Sequence, residues 1–131
     1  TGELRDMSVK EIKILFNPDK FCLVYAGFWN VILDSPLNKP DLELLSYLIS
    51  NYADGVAFTI GKYEKEKVSK SSGRAFTSYN NSTRKLIKYK LIIPIGENSR
   101  KYVINPRYAF QGSSNERKQL LIEMSQSYPG Y

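Results

Sequence analysis

The chain has 131 residues, of which 42% are hydrophobic, 13% aromatic and 24% charged; that is enough apolar side chain to bury a core, and a single domain over 1–131 is expected. One cysteine and no histidine exclude an internal disulfide framework, a Ser-His-Asp triad, a histidine general base, HExxH or Cys/His zinc sites and a four-cysteine site. Nineteen Lys and Arg against thirteen Asp and Glu give a net charge of +6, and its distribution is uneven. Residues 62–101 carry eleven bases and three acids, a net +8, which leaves −2 for the rest. Positive charge confined to one segment of a near-neutral body is the footprint of a polyanion binder, with a solvated charged face as the bland alternative.

Residues 1–9 are polar and read as loosely held. At 11–16, Ile12, Ile14 and Phe16 alternate with period two, which predicts a strand ended by Asn17 and Pro18. Next, Phe21, Val24, Tyr25, Phe28 and Ile32 follow helical spacing, so a helix is expected over 20–33, although the aromatic and β-branched content favours a strand. The apolar run 21–33 is thirteen residues long, short of the roughly 20 that cross a bilayer, and it is not placed as a signal peptide would be. Cys22, inside that run, reads as a small buried hydrophobe.

Pro40 suits a first helical turn, and Asp41 and Glu43 suit the positive end of a helix dipole. Leu42, Leu45, Leu48, Ile49 and Tyr52 then share one face of a helix over 40–53, ended by Asp54 and Gly55. Residues 56–60 read as a strand. A polar helix is expected over 62–71, with Tyr63 and Val68 toward the core and Lys62, Lys65, Lys67 and Lys70 mostly in solvent. Ser72 and Gly73 make a turn. A second helix over 75–89 is predicted from Phe76, Tyr79, Thr83, Leu86 and Ile87 on one face. Residues 91–95 and 100–104 read as a hairpin about a 96–99 turn, with Pro94 marking an edge strand. Asn105 and Pro106 stop it. Ser114 is expected to cap a last helix over 115–126, anchored by Leu120, Leu121 and Met124. Phe28, Trp29, Tyr47 and Tyr52 are expected in the core.

Helix, strand, helix, tight turn, helix, two-stranded hairpin is the order of a winged helix-turn-helix. The expected fold is therefore α+β: a winged three-helix core at about 40–105, extended by a strand and helix at 11–33 and by 107–126. In this architecture the second helix of the pair enters the DNA major groove. Opposite the apolar face of 75–89 stand Thr77, Ser78, Asn80, Asn81, Arg84, Lys85 and Lys88. Asparagine can bond adenine bidentately, Ser and Thr can donate to base or phosphate, Arg84 can reach guanine or phosphate, and Lys85 and Lys88 suit phosphates. Asn, Ser and Thr are poor mid-helix residues, so their presence there is either functional or a sign that 80–83 is a loop and the helix starts later. Ser72 and Arg74 in the turn, and Asn98, Ser99, Arg100 and Lys101 at the wing tip, are further candidate DNA contacts. No catalytic residue, metal ligand or cofactor site is expected.

The stretch from about 21 to 122 resembles the winged-helix replication initiators of the RepL type, carried on small plasmids of Gram-positive bacteria, with related proteins in phages. The resemblance rests on Leu42 to Tyr52, the turn and helix from Ser72 to Ile87, Leu91 and Ile92, the wing ending Tyr102-Val103-Ile104-Asn105-Pro106, and Ala109-Phe110-Gln111-Gly112. This chain departs from the pattern where Tyr79 takes an apolar place and Asn81-Ser82 stands for an Arg-Ala pair. The resemblance implies sequence-specific binding of double-stranded DNA at a plasmid or phage origin in the cytoplasm of a bacterial cell, without catalysis. It also implies host replication or transcription proteins as partners. The terminal elements 11–16 and 115–126 are expected to form a homodimer interface. A winged-helix transcription regulator, and a protein-interaction module of a phage particle or replisome, are the alternatives.

Overall fold

A computed structural model describes residues 11–17, 20–96 and 100–127, with side chains from Val24 onward. It is α+β. The order is β1 (Glu11–Asn17), β2 (Lys20–Tyr25), α1 (Ala26–Asp34), α2 (Lys39–Tyr52), β3 (Phe58–Thr59), α3 (Lys62–Ser72), a 3-10 turn (Phe76–Tyr79), α4 (Ser82–Lys88), β4 (Ile92–Ile95), β5 (Lys101–Ile104), β6 (Ala109–Phe110) and α5 (Ser114–Ser127). Two three-stranded antiparallel sheets form, ordered β1-β2-β6 and β3-β5-β4. This order is compatible with a winged-helix layout.

The helix expected over 20–33 is corrected. Its first part is strand β2, paired with β1 from Glu11↔Tyr25 to Asn17↔Lys20 and with β6 through Leu23↔Phe110 and Val24↔Ala109. The aromatic and β-branched side chains there fit a pleated surface better than a helix, and a central position in the sheet rewards that preference with pairing on both edges. The helical spacing was a coincidence: Val24 and Phe28 are both buried, but one comes from β2 and the other from α1. Trp29 also departs from expectation. It stands 38% exposed at an apolar groove it lines with Ile32, Leu42 and Leu45, edge-on to Phe28 with ring centroids 5.2 Å apart. Tyr47 and Tyr52 are partly buried against the core. The side chain of Cys22 lies outside the described residues.

Helix α2 is the axis of the core. Asn38 Oδ1 accepts the Asp41 N–H at 3.1 Å and Asp41 Oδ2 accepts the Asn38 N–H at 2.9 Å, a reciprocal cap with Pro40 in the first turn. Leu44, Leu45, Leu48 and Ile49 are buried, against Phe58, Val68, Tyr79, Leu86, Leu91, Ile92 and Ile104 from the elements β3 to β5. Strand β3 is shorter than the 56–60 expected. It pairs with β5 (Phe58↔Tyr102), while β4 pairs with the other edge of β5 from Ile92↔Ile104 to Ile95↔Lys101. Pro94 thus lies on an edge strand, where its missing donor costs no ladder bond.

The last helix is capped one residue earlier than expected. Ser113 Oγ, not Ser114, accepts the Glu116 N–H at 3.1 Å, because α5 already begins at Ser114. Met124 is buried and Leu120 and Leu121 are partly so, while Ile122 is 45% exposed. Leu86 has no exposed surface, whereas Arg84 on the same helix is exposed. Urea unfolding of Leu86→Ala is therefore expected to show a loss of about 2–5 kcal/mol, and Arg84→Ala a change within about 0.5 kcal/mol.

Candidate nucleic-acid interface

The single helix expected over 75–89 is in fact two pieces. α3 ends at Gly73, whose φ of 79° only glycine adopts without strain and whose N–H bonds the Ser69 carbonyl at 2.9 Å. The chain then forms the 3-10 turn 76–79, a turn at Asn80 and Asn81, and α4 from Ser82. Asn80, Asn81 and Ser82 therefore occupy the turn and helix-start positions they prefer. They carry no mid-helix cost; of the 80–83 loop alternative only Asn80 and Asn81 form a turn, and Ser82 and Thr83 already belong to the helix. Tyr79 is fully buried beneath the turn, and its hydroxyl bonds Ser72 Oγ and donates to Glu43 Oε1 at 3.3 Å.

Five of the expected residues come together. Ser78, Asn81, Arg84, Lys85 and Lys88 line one open groove, closed on its other side by Asn38 and Asp41 at the start of α2. Arg84 Nη2 donates to Asn81 Oδ1 at 3.0 Å, which leaves its other donors for a ligand. Lys88 is exposed, with its ammonium 5.6 Å from the Tyr89 ring centroid. Thr77 and Asn80 are exposed outside the groove lining; Asn80 Oδ1 accepts from Lys65 Nζ at 3.5 Å.

Other expected contacts are already engaged. Arg74 Nε lies 2.6 Å from Glu43 Oε1, and the Arg74 N–H donates to Ser72 Oγ at 3.2 Å. Ser72 and Arg74 thus tie the turn to α2 instead of standing ready for phosphate. Lys85 is also committed, with Nζ 3.0 Å from Asp41 Oδ2. At the hairpin, Arg100 and Lys101 are exposed, and Asn98 and Ser99 lie outside the described residues. On α3, Tyr63 is 62% exposed instead of facing the core. Glu64 takes the inner place, because its Oε2 accepts the Gly61 N–H at 2.9 Å and caps the helix.

Two buried polar residues, expected from the sequence only as a helix-start acid and a hairpin stop, hold this region. Asp41 is 2% exposed. Its Oδ1 accepts from Ser82 Oγ at 2.7 Å, and its Oδ2 accepts from Asn38 N and Lys85 Nζ. Burial acts to raise its pKa, but the Ser82 and Asn38 hydrogen bonds and the Lys85 charge outweigh it and hold the carboxyl below its ordinary value of 3.8. The Asn38-x-x-Asp41 spacing was the visible signal. Asn105, 1% exposed, donates from Nδ2 to the Lys90 carbonyl at 2.8 Å and accepts the Arg107 N–H at 3.0 Å. Elsewhere, burial, with smaller effects from Tyr52, Glu64 and Tyr63, pushes the Tyr47 hydroxyl up to about 12.

Among the described residues no helix is long and apolar enough to cross a membrane, and no group of three or more Cys, Asp and Glu side chains is placed to hold a metal ion. No protein-family model, curated protein or solved structure matches the chain.

Replacing Asp41 removes a cap and leaves the buried Ser82 hydroxyl unpaired. Asp41→Ala is expected to cost about 2–3 kcal/mol in urea unfolding at pH 7. Because the folded pKa lies below the unfolded 3.8, the Asp41 ionisation contributes fully above about pH 4 and is lost as pH falls through the folded value. Unfolding measured from pH 7 to pH 2 should therefore show the gap between wild type and Asp41→Ala narrowing only below about pH 4.

Proposed function

We propose that this chain is a single winged-helix domain that binds double-stranded DNA in a sequence-specific manner, without catalysis or cofactor. The observation that carries this reading is the groove in which Ser78, Asn81, Arg84, Lys85 and Lys88 meet, within the only segment that holds excess positive charge. Phosphates supply most of the affinity through displaced counterions, and base edges supply specificity. On this reading Arg84 and Lys88 take phosphates. Ser78 and Asn81 in the groove, and Asn80 exposed beside it, reach base edges. The β4–β5 hairpin serves as the wing, with Arg100 and Lys101 toward the backbone. The resemblance to RepL-type initiators makes the origin of a plasmid or phage genome the proposed target, inside a bacterial cell, with host replication proteins as further partners; transcription regulation is the runner-up on the same surface. A protein-interaction role has its own support in α1, where Trp29 and the 81% exposed Leu33 stand outside the core.

Selection from a random duplex pool at two salt concentrations tests the proposal. An enriched motif with a steep salt slope is expected, and a palindromic motif would assign two copies per site. Arg84→Ala and Lys88→Ala should each flatten the slope of log Kobs against log[salt] by about 0.9. Asn80→Ala should weaken binding to the selected motif by about 1–3 kcal/mol and leave random duplex unaffected. No binding at low salt would overturn the DNA reading and favour a protein partner at α1.

A further inference from the structure

The groove holds three cations, but they are not equivalent. Lys85 Nζ sits 3.0 Å from a carboxylate that is itself 2% exposed, and its own side chain keeps only 34% of its surface. Neither Arg84 nor Lys88 pairs with a carboxylate among the described residues, and both are exposed. Drawing Lys85 away to a phosphate would strip a buried carboxylate of its cation, and a desolvated, unpaired charge is much more costly than a solvated phosphate contact is favourable. Asp41 cannot follow, because Ser82 Oγ at 2.7 Å and Asn38 N at 2.9 Å fix both of its oxygens.

Building on the proposed DNA binding, we infer that Lys85 is a positioning residue, held by Asp41 to set the start of α4 against α2, and that Arg84 and Lys88 alone of the three groove cations neutralise phosphates. Asp41 thereby lowers the phosphate count of the groove by one. The pair acts as a brake on sequence-independent affinity, since every phosphate contact strengthens specific and nonspecific binding alike.

The salt slope reads this directly. A labelled mixed-sequence duplex is titrated with wild type, Lys88→Met, Lys85→Met and Asp41→Asn over a range of KCl concentrations. A partly unfolded variant shifts the intercept of log Kobs against log[KCl] but not its slope, provided that circular dichroism shows the folded fraction to be constant over that range. Lys88→Met should flatten the slope by about 0.9, Lys85→Met should leave it unchanged, and Asp41→Asn should steepen it by about 0.9 as Lys85 is released. Flattening by Lys85→Met equal to that of Lys88→Met, or an unchanged slope in Asp41→Asn, would overturn the inference while leaving DNA binding intact. Absence of salt-dependent binding by wild type would overturn both.

Discussion

A single buried carboxylate connects the parts of this structure that matter most for its surface. Asp41 closes the reciprocal cap of α2 with Asn38, accepts the hydroxyl of Ser82 at the first residue of α4, and pairs with Lys85 one turn further along. The order of these contacts explains why burial does not neutralise it. Desolvation alone would favour the protonated acid, but a backbone amide, a hydroxyl and an ammonium all point at its two oxygens, and each is stronger for being out of bulk water. The same carboxylate thus ties the start of α2 to the start of α4, beside the buried packing of Leu44, Leu48 and Leu86 in the core.

The other end of α4 is fixed by a second polar junction. Lys90 takes a positive φ of 62°, uncommon for a residue with a side chain, and its carbonyl receives the Asn105 amide at 2.8 Å. Leu91 N bonds back to the Leu86 carbonyl at 2.9 Å and Asn105 N to the Leu91 carbonyl at 3.0 Å. The helix therefore turns into β4 while β5 returns to the same point. Arg117 extends the junction to α5: its Nε bonds the Pro106 carbonyl at 2.7 Å and its guanidinium carbon lies 3.5 Å from the centroid of the Tyr25 ring. A seven-residue helix is too short to hold itself in water. Between these junctions, and on the buried Leu86, it needs no intrinsic stability.

What could be read from the sequence follows from how local each signal is. The α2 helix was visible because its proline, its acidic first turn and its apolar face all lie within one short segment, although its Asn38 cap went unread. The β4–β5 hairpin and its edge proline were equally local. The 20–33 region was not, because β2 is chosen by partners in β1 and by β6 some eighty residues away, and only the residue types hinted at it. The apolar face of 75–89 was correctly found in Tyr79 and Leu86, yet the break between them depends on Ser82 meeting Asp41 across forty-one positions. Separations of 31 and 44 positions likewise hid the commitments of Arg74 to Glu43 and of Lys85 to Asp41. Sequence shows that a side chain is charged, but only the fold shows whether that charge is already used.

The break in the helix changes what the proposed interface can do. α4 at 1.5 Å per residue is about 10 Å long, near the width of a major groove, so the helix offers less than two turns to a duplex. The polar side chains that would read bases come from the 3-10 turn and from Asn80 and Asn81, on backbone pinned by the buried Tyr79 on one side and Ser82 on the other. A loop usually brings an ordering cost to binding, because its conformers must be restricted. Here that restriction is already imposed by folding, through hydroxyl contacts of Tyr79 and Ser82 to α2. The small polar residues that are poor choices for a long helix are suited to such a turn, and on the proposed DNA reading the turn and the short basic helix after it set their register relative to Arg84 and Lys88.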